Sequence, residues 1–128
     1  MEQGAAKILV VDDDERIRRI MRDTLHYHGH EVITVSDGDK ALAAARADKP
    51  DLIFMDVFMP NMDGYTALGA IKKDATTRGI PVVMVTAMGH DLNRKLAEHL
   101  GSSGYLTKPF VTKDLLAAVG HFALNQNT

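Results

Sequence analysis

The chain has 128 residues, of which 45% are hydrophobic and 25% charged, the size and balance of one globular domain, which excludes a disordered or fibrous architecture. Its formal charge of -2, from 15 basic and 17 acidic residues, leaves no basic run beyond Arg16, Arg18, Arg19 and Arg22, so no direct nucleic-acid contact is expected. The chain has no cysteine, which excludes disulfides, thiolate metal sites and a cysteine nucleophile.

In chain order, Lys7 to Val11 reads as a first strand. Its apolar run Ile8-Leu9-Val10-Val11 is too short for the core of a signal peptide and ends in Asp12-Asp13-Asp14. Nothing later reaches membrane-spanning length, so a cytoplasmic protein without membrane contact is expected. Ile17, Ile20, Met21, Thr24 and Leu25 recur at helical spacing and Gly29 supplies a stop, which predicts a helix from about Glu15 to His28. A second strand follows at Glu31 to Val35. Ser36-Asp37-Gly38-Asp39 reads as a capping box opening a helix that buries Ala41, Leu42 and Ala45 before Pro50. Strands at Leu52 to Met55, Val82 to Val85 and Tyr105 to Thr107 alternate with helices centred on Leu68/Ile71, on Leu92/Leu96/Leu100 and on Leu115/Leu116/Val119/Phe122, the last with Thr112 as N-cap.

Strict strand–helix alternation requires crossover connections and predicts a doubly wound α/β fold, a five-stranded parallel sheet with helices on both faces. The first, third and fourth strands are almost continuously apolar, as interior strands are. Glu31, Thr34 and Thr107 interrupt the second and fifth, which makes those the edges and gives the order 2-1-3-4-5. No repeat or linker divides the chain, so residues 1–128 are expected to form a single domain with no output domain attached.

The polar residues at the strand ends carry the functional signal. Asp12 and Asp13 follow the first strand, Asp56 the third, Thr86 the fourth and Lys108 the fifth. In a parallel sheet all five point toward one edge. Converging carboxylates repel unless a cation or a raised pKa relieves them. Mg²⁺, with its preference for oxygen ligands, suits Asp13 and Asp56 as direct ligands with Asp12 acting through water. Lys108 and Thr86 then supply a charge and a hydroxyl to the oxygens of a transferring phosphoryl group, with Asp56 as nucleophile. Blander roles stay open: Asp12 to Asp14 can cap the first helix, Asp14 above all, Asp56 can begin a turn, and Thr86 and Lys108 taken singly read as a strand-end hydroxyl and a solvated charge.

Over essentially its whole length the sequence resembles the response-regulator receiver family. Ile8-Leu9-Val10-Val11-Asp12-Asp13 looks like its acidic-pair motif, and Leu52 to Gly64 like its phosphoacceptor strand and following loop. Val85-Thr86-Ala87 and Lys108-Pro109-Phe110 complete the set. The resemblance implies the flavodoxin-like receiver fold and a signalling switch that catalyses only its own phosphorylation and dephosphorylation. It implies Asp56 as phosphoacceptor, Asp12, Asp13, Asp56 and the backbone carbonyl of Phe58 as Mg²⁺ ligands, and Thr86 and Lys108 on the phosphoryl group. Ala87 would leave room for that group, and Lys108-Pro109 would be a cis peptide directing the lysine. Tyr105 matches the switch aromatic that moves with Thr86 and alters the surface of the fourth helix, fifth strand and fifth helix. The alternative reading of Tyr105 is an edge-strand aromatic packed on a helix.

The implied partners are a sensor histidine kinase or histidine phosphotransfer protein and a downstream protein target. Two departures bear on this. Phe58 and Met88 are apolar where many relatives are polar, which points to slow loss of the phosphoryl group. Gly101 to Tyr105 lacks an acidic pair that supports dimers in many DNA-binding members, so a monomer is expected. Of the six histidines, His26, His28 and His30 straddle a helix end and read as surface residues without a metal. Competing readings are a receiver belonging to a larger transcription factor or enzyme, a Mg²⁺-dependent phosphatase, and a flavin module. The last suffers from an Asp-rich loop where a phosphate cradle needs N–H donors.

Overall fold

The structure, a computed structural model, describes residues 4–87 and 93–124. The strands are β1 (Lys7–Val11), β2 (Glu31–Val35), β3 (Leu52–Asp56), β4 (Val82–Ala87) and β5 (Gly104–Lys108). They alternate with helices α1 (Glu15–Tyr27), α2 (Gly38–Asp48), α3 (Gly64–Lys73), α4 (Arg94–Leu100) and α5 (Thr112–Val119). The sheet is parallel in the order β2-β1-β3-β4-β5, as the polar interruptions of β2 and β5 require.

Because strand side chains alternate between faces, the sheet divides the apolar residues into two layers. Leu9, Val11, Ile53, Met55, Val82 and Met84 face α2, α3 and α4, where Ala45, Leu68, Ile71 and Ala97 meet them. Ile8, Val10, Leu52, Phe54, Val83 and Val85 face α1 and α5 through Met21, Leu25, Leu115 and Val119. β1, β3 and β4 are thus covered on both sides, which explains their near-continuous apolar runs.

Several boundaries differ from the sequence-based expectation. β3, β4 and β5 run on through Asp56, Ala87 and Lys108, so these residues occupy the last ladder positions, Asp56 opposite Val85 and Ala87 opposite Lys108. Backbone pairing with a neighbour that is still extended carries the ladder past the first polar side chain. Asp37 is the N-cap of α2 but makes no side-chain cap bond, so the expected capping box does not form. The helix starts at Gly38, which leaves Ser36 outside the cap position. Likewise Thr112 is the first helical residue of α5, and its N-cap is Val111, which has no side-chain acceptor. After Val119 the chain winds into a π-helical turn, Gly120–Leu124, with the Phe122 ring so close over β5 that a Cβ on Gly104 would lie 2.8 Å from it. In α4 the buried residue is Ala97, while Leu96 is 38% exposed and Leu92 lies outside the described residues.

His26 and His28 are exposed, but His30 is not a surface residue: it is 6% exposed and its Nδ1 accepts the Ala6 N–H at 3.0 Å. Placed just before β2, the ring satisfies a backbone donor just before β1. Burial and the neighbouring His28 hold its pKa below the usual value.

Candidate active site

The C-terminal ends of β1, β3 and β5 bring an acidic cluster and a lysine together. Asp12 follows β1 and is buried, its N–H given to the Val35 carbonyl at 3.2 Å. Its Oδ1 accepts the Asp14 N–H at 2.9 Å and its Oδ2 lies 2.7 Å from Lys108 Nζ. Asp14 caps α1 by accepting the Arg16 N–H at 2.9 Å, the role its position suggested. Asp13, between them, is exposed.

Asp56 ends β3 at 5% exposure, with Oδ1 3.4 Å from Lys108 Nζ. The loop that follows is fixed by Gly64, whose N–H is given to the Val57 carbonyl at 2.8 Å. A Cβ on Gly64 would lie 2.2 Å from the Asp56 carbonyl oxygen, so only glycine lets α3 begin against the strand that carries Asp56. Thr86 is buried in β4 beside Thr107 of β5, and Lys108 is one ladder position further on, its bond to Pro109 in the cis form.

Carboxylate oxygens of Asp12, Asp13 and Asp56 all lie within 4.8 Å of one another. The electrostatics reflect this crowding. Burial, then the Asp12 carboxylate, pushes Asp56 from 3.8 up to about 7, against the opposing pull of Lys108. Burial tends to lower the Lys108 pKa, but its contacts with Asp12 and Asp56 outweigh that and leave it raised. Lys108 sits closer to Asp12 than to Asp56, so one ammonium is shared between carboxylates that it cannot neutralise together. A donor set of close carboxylate oxygens with a residual negative charge fits a hard divalent cation.

Phe58, two residues beyond Asp56, is 51% exposed. Tyr105 is 43% exposed on β5; the Arg94 guanidinium lies 4.1 Å from its ring centroid and donates to its hydroxyl. Met88 lies outside the described residues.

The sequence did not single out Arg18, whose guanidinium donates to the Asp12 carbonyl at 2.8 Å and braces the turn that presents Asp12 and Asp13. In the sequence it is one of the short basic stretch Arg16, Arg18, Arg19 and Arg22. Its place one and a half turns beyond Asp12 was the available signal, since a long side chain there reaches back over the helix N-terminus. Tyr65 was missed too: its hydroxyl accepts the Asn93 N–H at 2.9 Å, and short-range patterns do not report a contact 28 residues apart.

Among known proteins, the family model described as the response regulator receiver domain matches residues 8–120. The chain is 40% identical over 119 residues to the probable transcriptional regulator ycf27 of Pyropia yezoensis, covering 93% of this chain and 48% of that protein. It thus spans about half the length of that curated relative. Its fold matches chemotaxis protein CheY4 of Vibrio cholerae with a TM-score of 0.85 at 33% identity, covering 93% of this chain and 99% of the other. It also matches the receiver domain of sensor histidine kinase PA1611 from Pseudomonas aeruginosa, whose structure has a magnesium ion coordinated in the active-site cleft. That match has a TM-score of 0.86 at 28% identity, over 95% of this chain and 100% of the other. With a transcriptional regulator among its relatives, the expectation of no nucleic-acid contact has no support from these likenesses. Among the described residues no helix is long and apolar enough to cross a membrane. With the sheet order, the acidic strand ends and a family match over residues 8–120 in agreement, the chain belongs to the response regulator receiver domains, the regulatory switches of two-component signalling.

Proposed function

We propose that Asp56 is the phosphoacceptor of this receiver and that Asp12, Asp13, Asp56 and the Phe58 carbonyl hold Mg²⁺. The observation that carries this reading is the approach of the Asp12, Asp13 and Asp56 carboxylates to within 4.8 Å of one another, with Lys108 Nζ at 2.7 Å and 3.4 Å from two of them. When bound, the ion supplies positive charge to the phosphoryl oxygens and lowers the pKa of Asp56.

The chain's own residues do the rest. An Asp56 carboxylate oxygen attacks the phosphorus of a phosphohistidine or a small phosphodonor. The donor P–N or P–O bond breaks, its electron pair leaves with the donor, and the leaving group takes a proton from solvent. Lys108 moves its ammonium from Asp12 toward the incoming phosphoryl oxygens, and the Thr86 hydroxyl donates to another. Those oxygens hold the charge that develops in transfer, so donors already fixed at strand ends lower the barrier. Thr86 moving toward the phosphoryl group frees space for Tyr105, and the face of α4, β5 and α5 becomes the output surface.

The donor is a histidine kinase or histidine phosphotransfer protein and the receiver of the signal a downstream protein, with the domain acting in the cytoplasm as a monomer. A second reading, that this domain controls an attached output unit, is favoured by its match to only 48% of the length of a transcriptional regulator. The test is intact-mass measurement after incubation with acetyl phosphate, with and without Mg²⁺. One phosphoryl group is expected on the parent with the ion and none on Asp56→Asn; normal uptake by that variant would overturn the assignment.

A further inference from the structure

The start of α4 is held from two sides by phenols. Asn93, its N-cap, gives its N–H to the Tyr65 hydroxyl at 2.9 Å while its own side chain accepts the Leu96 N–H at 3.0 Å. The next residue, Arg94, lies over the Tyr105 ring and donates to the Tyr105 hydroxyl. α4 has seven residues, with Ala97 buried and Leu100 packed against the same layer near its C-terminal end, so a polar tether counts for much of what fixes its first turn.

The two phenols differ in freedom. Tyr65 follows Gly64, which is packed against the Asp56 backbone, and stands on a helix anchored by buried Ala67, Leu68 and Ile71. Tyr105 stands half exposed on an edge strand. We propose that Tyr65 and Tyr105 form a clasp on the N-terminus of α4, in which Tyr65 is the fixed arm and Tyr105 the movable one. Release of Tyr105 then leaves α4 tethered at Asn93, and a shift at the end of β3 reaches α4 through Gly64 and Tyr65. The link from the clasp to phosphorylation rests on Asp56 being the phosphoacceptor; the clasp itself does not.

Native-state hydrogen exchange on the full chain tests it, with Tyr65→Phe, Tyr105→Phe and the double variant. Phenylalanine keeps the ring and removes the acceptor. Tyr65→Phe is expected to speed exchange at Asn93, Leu96 and Ala97 by about two- to tenfold, the range of one ordinary hydrogen bond, and to leave Val10 and Phe54 as in the parent. The double variant should exceed the product of the single effects, because either arm alone still holds the helix. Parent-like exchange at Asn93 and Leu96 in Tyr65→Phe would overturn the clasp, and so would equal acceleration in the interior strands, which reports general destabilisation. Acetyl phosphate with Mg²⁺ should speed α4 exchange in the parent and speed it by a larger factor in Tyr65→Phe, where no arm is left once Tyr105 lets go. An equal response in both would cut Tyr65 out of the coupling. A parent that takes no phosphate would remove the phosphoacceptor reading, while exchange in the unphosphorylated variants would still decide the clasp.

Discussion

Ile53, Phe54 and Met55 of β3 and Val82, Val83 and Met84 of β4 are almost wholly inaccessible, whereas β5 alternates between half-buried and exposed positions and α4 buries Ala97 alone. The first region holds Asp56 in a fixed place beside the Asp12 and Asp13 carboxylates because the strand that carries it cannot yield. The second is attached by Ala97, the partly buried Leu100 and a few polar contacts, Tyr65 to Asn93 and Arg94 to Tyr105, and is held less firmly than the interior strands. A switch needs both: rigid placement where charge is received, and loose attachment where it is read out.

The largest expected effect tests this contrast directly. Phe54 is a large, fully buried side chain facing α1 and α5, and Phe54→Ala should cost about 3–5 kcal/mol in denaturant unfolding. Leu96→Ala, in the exposed part of α4, should cost less than about 1 kcal/mol. Comparable losses in the two variants would abolish the distinction between a rigid interior and a loosely held flank.

The next effect concerns the strain of the charge itself. With its pKa raised from 3.8 to about 7, Asp56 keeps its proton in the folded chain over a range where the unfolded chain has lost it. Its contribution to stability is therefore greatest below pH 3.8 and is lost as pH rises through about 7 in ion-free protein. Asp56→Asn should remove that decline and be more stable than the parent at pH 8 by on the order of 3 kcal/mol. Added Mg²⁺ should return about 1–3 kcal/mol to the parent at saturating concentration and little to Asp13→Ala. Thermal unfolding across pH, with and without the ion, measures both. A pH profile shared by parent and Asp56→Asn would mean that the cluster is not strained.

The same contrast sets what could be read from the sequence. The sheet order and both apolar layers were legible because burial on two faces imposes continuous apolar runs on β1, β3 and β4 and leaves the edges mixed. The closeness of Asp12, Asp13, Asp56 and Lys108 was legible because parallel strands deliver their C-terminal ends to one side. What escaped depends on contacts between distant segments. His30 is flanked by polar or small residues and reads as exposed, yet it turns inward to serve Ala6. Arg18 looks like one more helix-surface charge until its reach to the Asp12 carbonyl is seen. The start of α5 was misplaced at Thr112 because cap preference favours a hydroxyl, whereas the path out of β5 puts Val111 in that position.

The smallest of these effects concerns Phe58, two residues beyond Asp56 and half exposed. Hydrolysis of an Asp56 acyl phosphate requires a water in line with the bond that breaks. A polar side chain at this position can hold that water by a hydrogen bond, whereas a phenyl ring offers none. The loss of one positioning interaction of about 1.4 kcal/mol corresponds to a tenfold slower reaction. Phe58→Asn should therefore shorten the half-life of the phosphorylated protein by about tenfold, measured by intact mass after the phosphodonor is removed in Mg²⁺ buffer. Thermal stability should change little, since the ring contributes to neither apolar layer. Adding Met88→Glu tests whether a second polar group increases the effect. A phosphorylated state that decays at the parent's rate or more slowly in both variants would show that the ring is not what protects it, and would place control of the lifetime on Lys108, Thr86 and the metal ligands instead.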